Sequence, residues 1–161
     1  MKNLYGYRTS LKSILTPVVV AAAISFVATS AQAAINEAAV QNYATQMKQA
    51  ANSRNVNKIS SLVADEALIS LSRRGKTTSL DKPAYLKLLQ DSWAESSNYS
   101  YDIIISNIVI SGEQAKADVK TVETWVKDGQ QRTMSTTSRA TLKSANDNAV
   151  LLRAVSQVTI E

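Results

Sequence analysis

The sequence contains neither cysteine nor histidine in its 161 residues. Without cysteine there are no disulfides and no thiol nucleophile, so a folded domain must be stabilised by its core alone. Without histidine the chain lacks the commonest general base and the commonest ligand of zinc, copper and iron. Ser-His-Asp catalysis is therefore excluded within one chain. We expect no metal site and no cofactor, and the composition favours a non-catalytic function.

Acidic residues are absent from the first 33 positions, where three basic residues precede an apolar stretch at 14–28. The small-x-small sequence Ala31-Gln32-Ala33 follows, a layout typical of a cleaved secretory signal peptide. The apolar stretch is interrupted by Thr16 and Pro17 and is shorter than the roughly 20 residues of a membrane-spanning helix. We predict a cleaved leader at 1–33, no stable membrane anchor, and a periplasmic or secreted protein.

The remaining residues, 34–161, number 128 and form one domain large enough to bury a core. The whole chain has a net charge of +5, but the leader contributes three basic residues and no acidic ones. The predicted domain therefore has 15 basic and 13 acidic residues, a net charge of +2. Because nucleic-acid binding needs a strongly basic surface, we expect no nucleic-acid partner.

Apolar residues at helical spacing predict three helices before the chain becomes β-rich. The first helix is predicted at 35–52, and the second begins with Asn55 as its N-cap and closes at 63–67. The third is predicted to begin at Asp81, with Pro83 in its first turn, and to end near residue 95.

Alternating residues predict a short hairpin of 67–72 with Thr77 and Thr78, around a turn at 73–76. Ile-, Val- and Thr-rich stretches predict four longer strands, at 99–110, 115–126, 131–143 and 150–161. Short turns join these four strands, so they form an antiparallel meander. The fold class is α+β: three N-terminal helices packed on a strongly curved, mostly antiparallel sheet, a cone-shaped, cystatin-like roll.

The stretch Asn55-Val-x-x-Ile-x-x-Leu-x-Ala-Asp-Glu-Ala67 resembles the nuclear transport factor 2-like superfamily, which includes ketosteroid isomerases and SnoaL-like polyketide cyclases. Members commonly show this apolar spacing and an Ala-Asp-x-Ala ending before the first strand. The order of elements is similar over residues 34–161. The resemblance implies a pocket at the open end of a cone and dimers through the outer sheet face. It does not imply one function, because the fold hosts enzymes, carriers and adaptors.

Ketosteroid isomerase chemistry needs a carboxylate base and an oxyanion hole of Tyr and protonated Asp. When the sequences are matched on the Ala-Asp pair, the tyrosine falls at Met47 and the base at Leu71. Both residues are apolar, so we assign no catalytic residue. An isomerase, dehydratase or cyclase that used a tyrosine and a carboxylate would have to rely on Glu123 or Asp102, both on predicted strands.

Aromatic residues supply most of the candidate ligand-binding positions. They could line a pocket for an apolar or ring-bearing ligand, or fill the core or a dimer interface instead. Arg139 would bind an acidic ligand if it faced the concave side, which the polar alternation of its strand does not decide. Arg73 and Arg74 could bind an anion, although charged turns are more usually solvated. The candidate pocket residues are Tyr43, Met47, Trp93, Tyr101, Trp125 and Arg139.

The leading interpretation is an exported, non-catalytic homodimer that binds a small apolar or acidic molecule, or a protein partner. The alternatives are the enzyme described above and a structural dimeric adaptor. An enzyme predicts a buried carboxylate within hydrogen-bond reach of a tyrosine in an open cavity. A binding protein predicts the cavity without that pair, and an adaptor predicts no cavity and an exposed apolar patch.

Overall fold

The computed structural model describes residues 33–161, so the predicted leader lies outside the described residues apart from Ala33. The described part forms three helices and six strands: α1 Glu37–Asn52, α2 Val56–Ser61, β1 Val63–Arg73, β2 Lys76–Asp81, α3 Lys82–Ala94, β3 Ser97–Ser111, β4 Gln114–Lys127, β5 Gln130–Ala145 and β6 Asn148–Ile160. Between residues 33 and 161, no helix is long and apolar enough to cross a membrane.

The six strands form one curved, unclosed sheet in the order β2-β1-β6-β5-β4-β3. Strands β3 to β6 pair antiparallel with their neighbours in the chain, which confirms the predicted meander. Strand β1 pairs antiparallel with β2 but parallel with β6. The α+β class is thereby confirmed, and the parallel pairing places the first hairpin beside the last strand of the domain.

Each helix begins at a side chain that accepts a hydrogen bond from a backbone amide of its first turn. The three caps are Asn36, Asn55 and Asp81, with oxygen-to-nitrogen distances of 2.8, 2.9 and 2.9 Å. Asn55 and Asp81 were predicted as caps from the sequence. The apolar side of α1, which includes Val40 and Met47, is buried.

The second helix ends at Ser61, so the prediction that it closes at 63–67 is wrong. Those residues begin β1, because the backbone there pairs with β6 instead of continuing the helix. Val63 is registered with Leu151, whose amide donates to the Leu62 carbonyl oxygen at 2.8 Å. The register then shifts before Leu68, an irregularity that a sequence pattern of period two does not reveal.

The end of α1 is tied to the edge strand β3 through one side chain. The Asn52 amide nitrogen donates to the Tyr101 carbonyl oxygen at 2.8 Å, and the Asn52 amide oxygen accepts from the Tyr101 nitrogen at 2.9 Å. Asn98 and Asn107 have positive φ angles of 48° and 52°, at the two places where β3 shifts its register with β4. Such bulges bend and twist a strand, which here helps to curve the sheet toward α1.

Candidate functional site

The concave face of the sheet and helices α1 and α3 enclose a cavity of about 700 Å³. This volume lies within the range of small-molecule sites, and the wall is mostly apolar. Side chains alternate along a strand, and three alternate residues of β3 face the cavity: Tyr99, Tyr101 and Ile103. The open cavity differs from one expectation of the adaptor alternative, an interior filled by the protein's own side chains.

Four of the six predicted pocket residues lie in the cavity wall. Tyr43 and Met47 project from α1, Tyr101 from β3 and Trp125 from β4. Leu71, the second position matched to the isomerases, also lies in the wall. With Met47 and Leu71 both apolar, the ketosteroid isomerase arrangement is absent from these positions. Direct ligand contact by the four residues stays a prediction.

Trp93 lies outside the cavity wall, packed behind Tyr99. It is 5% exposed, and its ring meets that of Tyr99 edge-on with 6.0 Å between centroids. Its indole nitrogen is buried without a hydrogen-bond partner among the described residues. Trp93 therefore fills the core, which was the other role considered for the large aromatic residues. Trp125, near the end of β4, lines the cavity.

Arg139 lies on the outer face of the sheet and is not part of the cavity. Its neighbours Ser138 and Ala140 line the cavity, so alternation directs Arg139 outward. Its side chain is 81% exposed, with the Nε atom 3.7 Å from a carboxylate oxygen of Asp118. Strand β5 has polar residues on both faces, which is why the sequence could not assign a direction to Arg139.

A carboxylate and a tyrosine meet inside the cavity, a pair that the enzyme alternative predicted and the binding interpretation did not. The Tyr99 hydroxyl donates to Oε2 of Glu123 at 2.7 Å, and both residues line the wall. Glu123 was one of two carboxylates considered for catalysis. The other, Asp102, faces outward and pairs with Lys48 at 2.8 Å. Tyr99 was not singled out, although its spacing of two residues from Tyr101 on one strand places both on the same face.

Burial controls the ionisation of this pair. It raises the pKa of Glu123, while the hydrogen bond from Tyr99 acts in the opposite direction and is the smaller effect. Burial, followed by the proximity of Glu123, raises the pKa of Tyr99 far above its usual value. Tyr99 is therefore a neutral hydroxyl donor near pH 7, beside a carboxyl group that takes up a proton more readily than an exposed one.

Three more tyrosines bring hydroxyl groups to the cavity wall: Tyr43, Tyr85 and Tyr101. Burial is the first cause that raises the pKa of each, so all three are neutral near pH 7. Within residues 33–161 none of these hydroxyl groups has a protein hydrogen-bond partner. Buried polar groups are normally paired, so these hydroxyl groups are available to a bound molecule or to water.

The site offers hydrogen-bonding hydroxyl groups and a proton-accepting carboxyl group. No group of three or more acidic side chains that could hold a metal ion occurs in the described part of the chain. The chemistry of the cavity depends on Glu123, on four tyrosines and on the apolar wall. That combination can bind an apolar molecule with an oxygen-containing group, and Glu123 can exchange a proton with it.

Replacing the buried carboxyl group should change stability in a pH-dependent way. Because the pKa of Glu123 is raised on folding, ionisation costs stability as pH rises above the unfolded value. We expect Glu123→Gln to unfold at a higher denaturant concentration than the wild type at pH 8. Their midpoints should converge at about pH 3, well below the pKa of about 4.3 of an exposed glutamate, where the carboxyl group is protonated in both states.

Asp102→Asn is the matched control, because its exposed carboxylate has a pKa lowered by the hydrogen bond from Lys48. This substitution should leave stability unchanged or reduce it at pH 8, with no gain. A gain of equal size in both variants would contradict the assignment of Glu123 to a desolvated site. The measurement is chemical unfolding followed by circular dichroism at both pH values.

Comparisons with known proteins identify the fold. No protein-family model matches the sequence, and no curated protein matches it. Among solved structures, a conserved protein from Planctomyces limnophilus is 15% identical with a TM-score of 0.68, covering 78% of this chain and 97% of its own. A candidate scytalone dehydratase from Novosphingobium aromaticivorans is 12% identical with a TM-score of 0.64, covering 77% and 85%.

A third structure carries the family in its name. It is a candidate dehydratase of the nuclear transport factor 2-like family from Streptomyces avermitilis, 13% identical with a TM-score of 0.60, covering 76% of this chain and 95% of its own. Likeness at such low identity concerns the fold alone. The order of elements, the curved sheet and these structures together show that residues 33–161 have the nuclear transport factor 2-like fold.

Proposed function

We propose that this protein binds a small, mostly apolar molecule with an oxygen-containing group inside the cavity, as an exported carrier or receptor. The observation that carries this proposal is a set of three tyrosine hydroxyl groups, without a partner among the described residues, at an apolar space of about 700 Å³. The wall supplies affinity through burial, and the hydroxyl groups supply specificity through hydrogen bonds. A ligand that buries roughly 200 Å² of apolar surface gains on the order of 5 kcal/mol from burial.

The first test is to block the cavity from within. Thr121 lies on β4 in the wall, midway between Val119 and Glu123. We expect Thr121→Phe to lower the affinity for an apolar probe such as 1-anilinonaphthalene-8-sulfonate at least tenfold, because the ring occupies the probe's volume. Dye fluorescence measures the binding, and circular dichroism checks that the variant is folded.

Thr124→Phe is the matched control, because Thr124 lies on the same strand and outside the cavity lining. This control should bind the dye as the wild type does. If the two variants bind the dye equally well, the cavity is not the binding site. A folded protein that takes up no dye at all would also count against the proposal.

A second candidate function is a proton-transfer enzyme, and the Glu123–Tyr99 pair favours it. A tyrosine within 2.7 Å of a partly buried carboxylate in an open cavity is the arrangement expected for an isomerase, dehydratase or cyclase. Glu123 would accept a proton from carbon and return it, while a tyrosine hydroxyl group would stabilise the developing oxyanion. Two structural neighbours are named as candidate dehydratases.

An exchange assay tests this candidate without the natural substrate. In deuterated buffer, an enzyme of this kind should accelerate deuterium uptake at the acidic carbon of 2-tetralone, followed by NMR. Glu123→Gln and Tyr99→Phe should each lower the rate of deuterium uptake at least tenfold, and Glu123→Gln should lower it to the rate in buffer. The outward-facing variant Asp102→Asn should exchange as the wild type does. Wild-type protein that causes no exchange above buffer would leave the non-catalytic carrier as the function.

Export is the third part of the proposal, and it rests on the layout of residues 1–33. We expect protein expressed in a Gram-negative host to be recovered from the periplasm, with an intact mass that begins at Ala34. Ala33→Leu, which removes the small residue before the cleavage site, should leave a higher-mass precursor with the membrane fraction. Full-length protein that begins at Met1 and stays in the cytosol would overturn this part.

A further inference from the structure

The tip of the first hairpin places two cations opposite each other at the cavity. Arg73 ends β1 and Lys76 begins β2, and the two are direct partners in the antiparallel register. Arg74 and Gly75 form the two-residue turn between them, with φ angles of 49° and 75°. Arg73 and Lys76 belong to the cavity wall, whereas Arg74 does not.

This arrangement is electrostatically unfavourable without a counter-charge. Like charges directly opposite on neighbouring strands destabilise a sheet, because their Cβ atoms lie only about 5 Å apart. Neither Arg73 nor Lys76 forms an ion pair within the described residues. Lys127, the other cation in the lining, is compensated by Glu95 at 2.5 Å. The cavity wall therefore holds two uncompensated positive charges at one place.

These charges lie at the same end of the sheet as the other charged lining residues. Arg73 is the last residue of β1, and Lys127 is the last residue of β4. Deeper in the cavity wall, the pair Arg73 and Lys76 is followed by the pair Leu71 and Thr78. The next pair is Ile69 and Leu80. On the hairpin side, the wall therefore changes from cationic at the strand ends to apolar deeper in the cavity. An amphipathic molecule with a negative end group matches this change.

We infer that Arg73 and Lys76 bind the carboxylate of an amphipathic carboxylic acid whose apolar part occupies the cavity. This inference rests on the proposed binding function and adds the class and the orientation of the ligand. Arg73 offers a planar fork of N–H donors that fits a carboxylate, and Lys76 adds a second positive charge from the neighbouring strand. Glu123 lies toward the same strand ends but on β4, so its carboxyl group disfavours placing the acid on that side of the cavity and favours the hairpin side.

From the sequence, Arg139 was the candidate pocket residue for an acidic ligand, and Arg73 and Arg74 were expected to be solvated; Arg139 lies on the outer face. The hairpin residues take over that role for a physical reason. Arg73 and Lys76 are paired directly across the tight turn of the hairpin. Paired residues project to the same face of a sheet, and here that is the concave face. The turn residue Arg74 remains the solvated charge that was expected there.

The experiment compares two probes that differ only in the end group, decanoate and decanol, by titration followed through tryptophan fluorescence. Trp125 in the cavity wall reports binding of both probes. Wild-type protein should bind decanoate roughly threefold to tenfold more tightly than decanol at low salt. Sodium chloride at about 0.5 M should remove most of this preference, because the charges lie at an exposed rim.

Single substitutions test which residues produce the preference for decanoate. Arg73→Ser and, independently, Lys76→Ser should each reduce the affinity for decanoate while leaving that for decanol unchanged. Arg74→Ser removes the same charge one residue away and should retain the full preference for decanoate. Because the three side chains are exposed on a hairpin tip, none of these changes removes core packing.

Three results would overturn the inference, and they differ in what else they affect. Equal binding of decanoate and decanol to the wild type removes the carboxylate preference but leaves small-molecule binding intact. If Arg74→Ser lowers the affinity for decanoate as much as Arg73→Ser does, the preference arises from the general surface charge and no defined site exists. Failure of both probes to bind, with dye binding also absent, overturns the proposed function together with the inference.

Discussion

The parallel pairing of β1 with β6 is the interaction on which the cavity depends. The meander of β3 to β6 forms one curved wall, and this pairing extends that wall by the first hairpin. The pairing of β1 with β6 places Ile69 beside Ala154 and Leu71 beside Ser156. Without this pairing, the concave face would end at β6. The register shift after Val63 lets the chain leave α2 and join the sheet within a few residues.

A curved sheet with a cavity on its concave side imposes a condition on every inward position. Apolar side chains are favoured there, and each polar group must be paired or must face the open space. Tyr99 and Glu123 form a hydrogen bond with each other, whereas the hydroxyl groups of Tyr43, Tyr85 and Tyr101 have no partner within residues 33–161. The resulting wall has apolar area for affinity and a few polar groups in fixed places for orientation, as small-molecule sites do.

Much of the fold follows from local patterns. Helical spacing and caps placed α1 and α3 within a few residues, and turn sequences separated the four long strands. The end of α2 was missed because Val63 pairs with a strand almost 90 residues later, a long-range interaction that overrides helical continuation. The direction of Arg139 was undetermined because Thr and Ser occupy both faces of β5, so alternation carried no hydrophobic signal.

What the sequence by itself determined is the class of chemistry and the framework. The absence of histidine and cysteine restricts the site to carboxyl, hydroxyl and cationic groups, and the order of elements specifies an α+β fold. Only the tertiary structure decided which residues meet. Glu123 and Tyr99 are 24 residues apart and come together through the register of β3 with β4, and Arg73 reaches the cavity because its hairpin joins β6. Such meetings depend on strand register and sheet curvature, which arise from packing across the whole domain and leave no local trace in the sequence.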